Sequence, residues 1–135
     1  MTAFFDTNVL IYAFANDDAK RERAQETLAI GGVVSVQVVN EFASVLRKKQ
    51  RHEWPRIEAA LAVAEKWFES IRPLTLNTHH AALALAREDG IDIHDALIVA
   101  AAREAGCEML YSEDLQHGRR FGALLVVNPF REPAS

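Results

Sequence analysis

Four carboxylates define the chemistry open to this chain: Asp6, Glu41, Asp95 and Asp114. Each stands against core-forming sequence. Asp6 ends the apolar run Ala3-Phe4-Phe5 and opens the phrase Asp6-Thr7-Asn8-Val9-Leu10. Glu41 falls on the apolar stripe of an expected helix, among Val38, Phe42, Val45 and Leu46. Asp95 heads the wholly apolar segment 96–102, and Asp114 follows Met109-Leu110-Tyr111. Carboxylates at the edge of buried elements are costly without partners, so four of them point to one shared cation. Oxygen donors of this kind suit magnesium or manganese. Such an ion orients a phosphate, offsets its charge and acidifies an attacking water, which is the chemistry of phosphodiester hydrolysis. Without the ion the four acids repel one another and some of their pKa values rise.

Each acid also has a structural alternative. Asp6 suits a helix N-cap, and Glu41 suits a solvated helix edge. Asp95 suits the first turn of a helix, where the dipole favours a negative charge. Asp114 suits a turn in Ser112-Glu113-Asp114. Thr7, Asn8 and Ser112 are the candidates to hold the carboxylates in place, Asn8 by orienting a carboxylate or a water.

The elements that must position these residues alternate. Strands are expected at Ala3–Phe5, 33–36, 73–76, Met109–Tyr111 and Leu124–Val127. Helices are expected at 7–14, 17–30 and 36–50, the last with Ser35 as N-cap, then from Pro55 to residue 70. A helix capped by Asn77 or Thr78 ends at Gly90, and another spans 92–105 before Gly106. Alternation of this kind predicts an α/β fold with a mainly parallel sheet. Ligands then bind beyond the carboxyl ends of strands, where strand order reverses. Asp6 and Asp114 each follow a strand directly.

The chain has 135 residues, half of them hydrophobic (50%), and suits one domain over residues 1–130 with a short tail at 131–135. A net charge of −4 argues against unspecific nucleic-acid binding by the whole surface and leaves room for a local basic patch. Arg47, Lys48, Lys49 and Arg51, with Trp54 close by, read either as RNA-backbone contacts or as a solvated helix end. Arg119 and Arg120 form a second candidate patch. The single Cys107 rules out an internal disulfide, no Cys/His set has zinc spacing, and a cytoplasmic setting fits. The N-terminus lacks a basic flank, and no apolar run nears the roughly 20 residues of a membrane span. An aspartyl phosphotransferase with Asp6 as nucleophile fits poorly. Asn8 stands where such sites want a second acid, and no lysine follows Lys66.

The phrases Phe5-Asp6-Thr7-Asn8-Val9-Leu10, Ser35-Val36 through Asn40-Glu41-Phe42, His94-Asp95-Ala96-Leu97-Ile98 and Tyr111-Ser112-Glu113-Asp114-Leu115 resemble the PIN-domain ribonucleases. Within them the chain is similar to the VapC-type toxins of toxin–antitoxin pairs, and Val127-Asn128-Pro129-Phe130 is similar to the family's end. The resemblance implies a five-stranded parallel sheet of order 3-2-1-4-5 with helices on both faces. It also implies magnesium- or manganese-dependent endoribonuclease activity carried by Asp6, Glu41, Asp95 and Asp114. Its other implications are a homodimer and inhibition by a small VapB-like antitoxin. The apolar positions Ile57, Leu61, Ala64, Trp67 and Phe68 are expected to supply part of a two-fold interface. Ser112 stands where the family often has threonine, keeping the hydroxyl. His94 stands where a bulky or aromatic residue is common, as a neighbour of the site or a substrate contact. A housekeeping RNA-processing nuclease and a non-catalytic RNA- or partner-binding domain are the competing readings.

Overall fold

Three consecutive residues buried on both sides, Ala3, Phe4 and Phe5, make β1 (Ala3–Phe5) the centre of the sheet. A strand covered on both faces reads as an unbroken apolar run. The computed structural model describes residues 2–131, so all of the expected tail except Arg131 lies outside the described residues. After β1 come α1 (Thr7–Ala13), α2 (Asp18–Leu28), β2 (Val33–Ser35), α3 (Val36–Lys48) and α4 (Trp54–Glu65). They are followed by β3 (Ser70–Arg72), α5 (Leu76–Asp89), α6 (Ile93–Glu104), β4 (Met109–Tyr111), β5 (Arg120–Phe121) and β6 (Leu124–Val127). No helix among the described residues is long and apolar enough to cross a membrane.

The sheet has the order β3-β2-β1-β4-β6-β5 and is parallel except for the β5–β6 pair. The expected order 3-2-1-4-5 is therefore present in the five parallel strands, with one more strand added at the edge. β5 is only two residues long, paired antiparallel to β6 across a turn in which Gly122 takes φ 65°. It is too short to leave a period in the sequence. From β1 the chain steps to β2 and β3 in one direction, then crosses to β4 in the other. With right-handed crossovers, that reversal sets α1–α4 on one face and α5–α6 on the opposite face. It also creates a switch point between β1 and β4.

Three other expectations are corrected. The third strand is Ser70–Arg72, not 73–76. Its register runs Val33↔Ser70, Val34↔Ile71 and Ser35↔Arg72, and Pro73 closes it because proline has no N–H for the ladder. The next helix is capped by Thr75, not by Asn77 or Thr78. Thr75 Oγ1 accepts from Thr78 N at 3.1 Å, and Thr78 Oγ1 accepts from Thr75 N at 3.3 Å. The apolar positions assigned to a two-fold interface are largely packed on the chain's own core. Ile57 and Ala64 are buried, while Leu61, Trp67 and Phe68 pack against the core. Trp67 stacks on Phe14, and Phe68 lies against Phe5. Much of that apolar surface serves the chain's own folding, and only its partly exposed remainder, at Leu61, Trp67 and Phe68, is open to a second copy.

Gly32 lets β2 approach the central strand. A Cβ there would lie 2.3 Å from the Ala3 carbonyl oxygen and 3.0 Å from the Phe5 ring. Both neighbours belong to the most buried strand, which cannot yield cheaply. Gly32→Ala is expected to lower stability by about 1–3 kcal/mol. Urea unfolding monitored by circular dichroism checks this, and an unchanged midpoint would contradict it.

Candidate active site

The carboxyl edge of the sheet gathers the expected residues. Asp6 follows β1, and its N–H donates to the Tyr111 carbonyl at 2.9 Å. Ser112 follows β4, and its N–H donates to Val127 O at 3.0 Å. These two ladder bonds extend the sheet by one residue and bring both positions to the switch point. Asp6 is 3% exposed. It occupies the N-cap position of α1, as its structural alternative requires. However, its Oδ1 accepts from Thr7 N at 2.7 Å, not from the later amides that a capping side chain usually serves. Its Oδ2 accepts from Ser112 Oγ at 2.7 Å.

Ser112 is the hub of the turn that carries Asp114. Its hydroxyl donates to Asp6 and accepts from Asp114 N at 3.2 Å and Leu115 N at 3.4 Å. One donor and two acceptor sites are all that a serine hydroxyl has, and all are used. Asp114 itself is exposed, while Glu41 and Asp95 are half-buried. Glu41 lies in the second turn of α3, whose N-cap Ser35 accepts from Val38 N. Its Oε2 accepts from Thr7 Oγ1 at 2.6 Å and its Oε1 from Gln37 Nε2 at 2.8 Å. Gln37 Nε2 is also 3.4 Å from His94 Nδ1, which ties α3 to the first turn of α6 and so to Asp95. Asn8 Oδ1 accepts from Glu113 N at 3.2 Å. That bond fixes the amide's orientation and leaves Asn8 Nδ2 buried with no partner.

Electrostatics join the four acids. Burial pushes the Asp6 carboxyl up from 3.8 to about 7, against the pull of its bonds to Ser112 and Thr7 and with a further push from Asp114 and Glu41. Burial likewise raises Asp95, helped by Asp114, Asp92 and Glu41. Asp114 and Glu41 thus act on both Asp6 and Asp95. None of the salt bridges among the described residues reaches any of the four.

This donor set suits a hard divalent cation. It is all oxygen, and among the described residues no Lys or Arg forms a salt bridge with any of the four. Among the described residues, no three His, Cys, Asp or Glu side chains stand close enough to enclose an ion as they are. Asp6 and Glu41 instead spend their oxygens on Ser112, Thr7 and Gln37. The set therefore fits a magnesium-type ion that takes one or two carboxylates directly and the rest through water, not a four-carboxylate cage.

The basic candidates lie elsewhere. α3 leaves the carboxyl edge of the sheet at Ser35 and runs back along it, so Lys48 sits roughly 10 Å of axial rise beyond Glu41. Arg47 is held over the Trp54 ring at 4.7 Å and donates to His52 O at 3.1 Å. Lys48, Lys49 and Arg51 are exposed at that far end. Arg119 donates to Asp89 O at 2.8 Å and stacks on Phe121 at 4.7 Å, while Arg120 is exposed. A cleft of about 470 Å³ beside Trp67, lined by Gln25, Leu28, Ala29 and Gly31, contains none of the four acids. Gln37 is a contact of Glu41 that sequence reasoning missed. For Gln37 the signal was its place one helical turn before Glu41.

Asp6 makes the stability of the metal-free protein depend on pH. A carboxyl with an ordinary unfolded value near 3.8 and a folded value of about 7 holds its proton more tightly when folded. Its stabilising contribution is complete below about pH 4 and is lost as pH rises through 7. The metal-free protein should lose roughly 3–4 kcal/mol over that window from this group. Asp6→Asn should remove the loss and leave the protein at least as stable at pH 8. Denaturant melts in chelator from pH 4 to 8 measure it, and equal pH slopes in both proteins would contradict it.

Comparison with known proteins agrees with this architecture. The family model described as PIN domain matches residues 3–120. No curated protein matches the chain by sequence. Among solved structures, a toxin–antitoxin complex from Klebsiella pneumoniae is 25% identical with a TM-score of 0.72, covering 95% of this chain and 98% of that one. VapC20 of Mycobacterium tuberculosis, a toxin that cleaves the sarcin–ricin loop, is 23% identical with a TM-score of 0.69, covering 84% and 90%. VapBC2 of Rickettsia felis, solved with a DNA fragment from its promoter, is 18% identical with a TM-score of 0.68, covering 93% and 97%. The matched span takes in β1 with Asp6, the helices of Glu41 and Asp95, and the turn of Asp114, and the chain belongs to the PIN-domain family.

Proposed function

We propose that this protein is a magnesium- or manganese-dependent endoribonuclease, the toxin of a type II toxin–antitoxin pair held inactive by a small VapB-like antitoxin. The observation that carries the reading is the uncompensated buried carboxyl of Asp6, coupled to Glu41 and Asp114 at the switch point. A divalent cation, when bound, would offset the charge of the scissile phosphate and lower the pKa of an attacking water.

The chain's own residues have distinct parts in this reading. Asp6 gives up its proton as a cation binds, which makes binding stronger at higher pH. Glu41 is kept in one rotamer by Thr7 and Gln37, and Asp95 stands in the first turn of α6. Asp114 is the exposed member of the four and meets the RNA side of the site. Asn8, its amide fixed by the bond from Glu113 N, keeps a buried N–H group that suits an internal water. RNA phosphates beyond the scissile one would meet Arg47, Lys48, Lys49 and Arg51, or Arg119 and Arg120. The exposed Lys48, Lys49, Arg51 and Arg120 are the better placed of these. A homodimer would have to use surfaces other than the buried side of α4. A cytoplasmic setting goes with this reading.

Asp114→Asn separates binding from chemistry. It should leave RNA affinity within a few-fold and lower metal-dependent single-turnover cleavage on the order of 100-fold. Neutralising Lys48, Lys49 and Arg51 should do the reverse, weakening RNA binding across sequences and flattening its salt dependence. Cleavage by Asp114→Asn at the parent rate would overturn the catalytic reading in favour of a binding domain.

A further inference from the structure

Glu113 precedes Asp114 and does not point to solvent alone. Its Oε1 accepts from Tyr12 Oη at 3.1 Å, and its Oε2 lies 3.4 Å from Lys20 Nζ. Lys20 Nζ also donates to Tyr12 Oη at 3.1 Å, closing a three-membered cluster. The ammonium sits 4.1 Å above the Tyr12 ring, and that ring meets Phe130 edge-on at 4.7 Å. The hydrogen bond that Lys20 donates to Tyr12, together with the Glu113 charge, raises the Lys20 pKa above its ordinary value. Glu113 N is held as well, by Asn8 Oδ1. One residue of the turn after β4 is thus anchored to α1 twice and to α2 once.

Asp114 lacks such anchors. The hydrogen bonds among the described residues include none to its side chain, and its N–H is held only by Ser112 Oγ. Ser112 ties the turn to Asp6 from one side. The Glu113 cluster ties it to α1 and α2 from the other. The pair is partly exposed, at 37% and 31%, so it contributes little to overall stability. What it constrains is local: the path of the chain immediately before Asp114.

We propose that Lys20, Tyr12 and Glu113 form a positioning device that sets Asp114 against the other three acids for cation binding. The proposal rests on reading those acids as a cation site. Partners that orient ligating carboxylates typically contribute 10–100-fold in metal affinity.

The sign of the effect separates positioning from simple electrostatics. Lys20→Met keeps the apolar stem over Tyr12 and removes a positive charge near the acids. Through-space repulsion alone would make that variant bind a cation more tightly. Positioning requires the opposite. Tyr12→Phe changes no charge, keeps the ring against Phe130 and removes only the hydroxyl that joins Lys20 to Glu113.

The experiment is a manganese titration followed by electron paramagnetic resonance, on the parent, Lys20→Met, Tyr12→Phe and Asp6→Asn, with thermal melts of each. The expected result is roughly 10-fold weaker manganese binding in both Lys20→Met and Tyr12→Phe with near-parental melting temperatures, and a larger loss in Asp6→Asn. Parental or tighter binding in Lys20→Met and Tyr12→Phe, with Asp6→Asn still impaired, overturns the positioning role and leaves the cation site standing. Lowered melting temperatures with parental manganese affinity likewise overturn it, because the cluster is then structural only. Parental binding in Asp6→Asn overturns the cation site, and the proposal with it.

Discussion

A carboxyl group buried at the end of the central strand, with no salt-bridge partner among the described residues, is the constraint around which this molecule is arranged. Asp6 follows three apolar residues that must sit inside the sheet, so the backbone cannot carry it out to water. Hydrogen bonds from Ser112 and Thr7 favour its charged form, yet burial outweighs them and the group stays near neutral pH. Fully buried charges are seldom tolerated without a partner. Three further acids at the same edge add to the cost. A soluble domain that needed only a helix cap could use serine or asparagine there at no such penalty.

The fold explains how residues far apart in sequence come to share one place. β1 pairs with β2 on one side and β4 on the other, so residues 6 and 112 become neighbours across a single ladder. The reversal of strand order opens the edge above them. α3 starts at that edge and brings Glu41 within its second turn, while the first turn of α6 brings Asp95. Thr7, Gln37, Ser112 and Asn8 then join the elements by side-chain bonds, in place of direct contacts between like charges. Hydrogen bonds donated to the Asp6 and Glu41 carboxylates offset part of the repulsion among the four acids.

Much of this was legible in the sequence, for identifiable reasons. Ala3-Phe4-Phe5 before an acid, and an acid heading seven apolar residues, mark burial and charge in direct conflict, which periodicity exposes. The parallel order followed from alternating strands and helices together with the family resemblance. β5 was not legible, because two residues carry no period. The third strand was displaced because Leu74 and Leu76 look strand-like, although both are exposed and Pro73 closes the ladder before them. The α4 face resembled an interface because sequence cannot show which side of an apolar helix its own chain will cover. Trp67 and Phe68, just past that helix, found Phe14 and Phe5 within the molecule. The links from Gln37 to Glu41 and from Lys20 to Glu113 depend on tertiary approach. Only the first had a local signature, the spacing of one helical turn.

The central claim is that burial, helped by neighbouring like charges, raises the Asp6 pKa to about 7, so that a cation bound there would displace a proton. Carbon-13 NMR titration of the aspartate carboxyl carbons, with and without magnesium, measures this at the atom concerned. The account predicts an Asp6 resonance that titrates near pH 7 in chelator and shifts to well below the usual carboxylate range when magnesium is added. An Asp6 carboxyl that titrates in the ordinary range near 4 and does not respond to magnesium would contradict it.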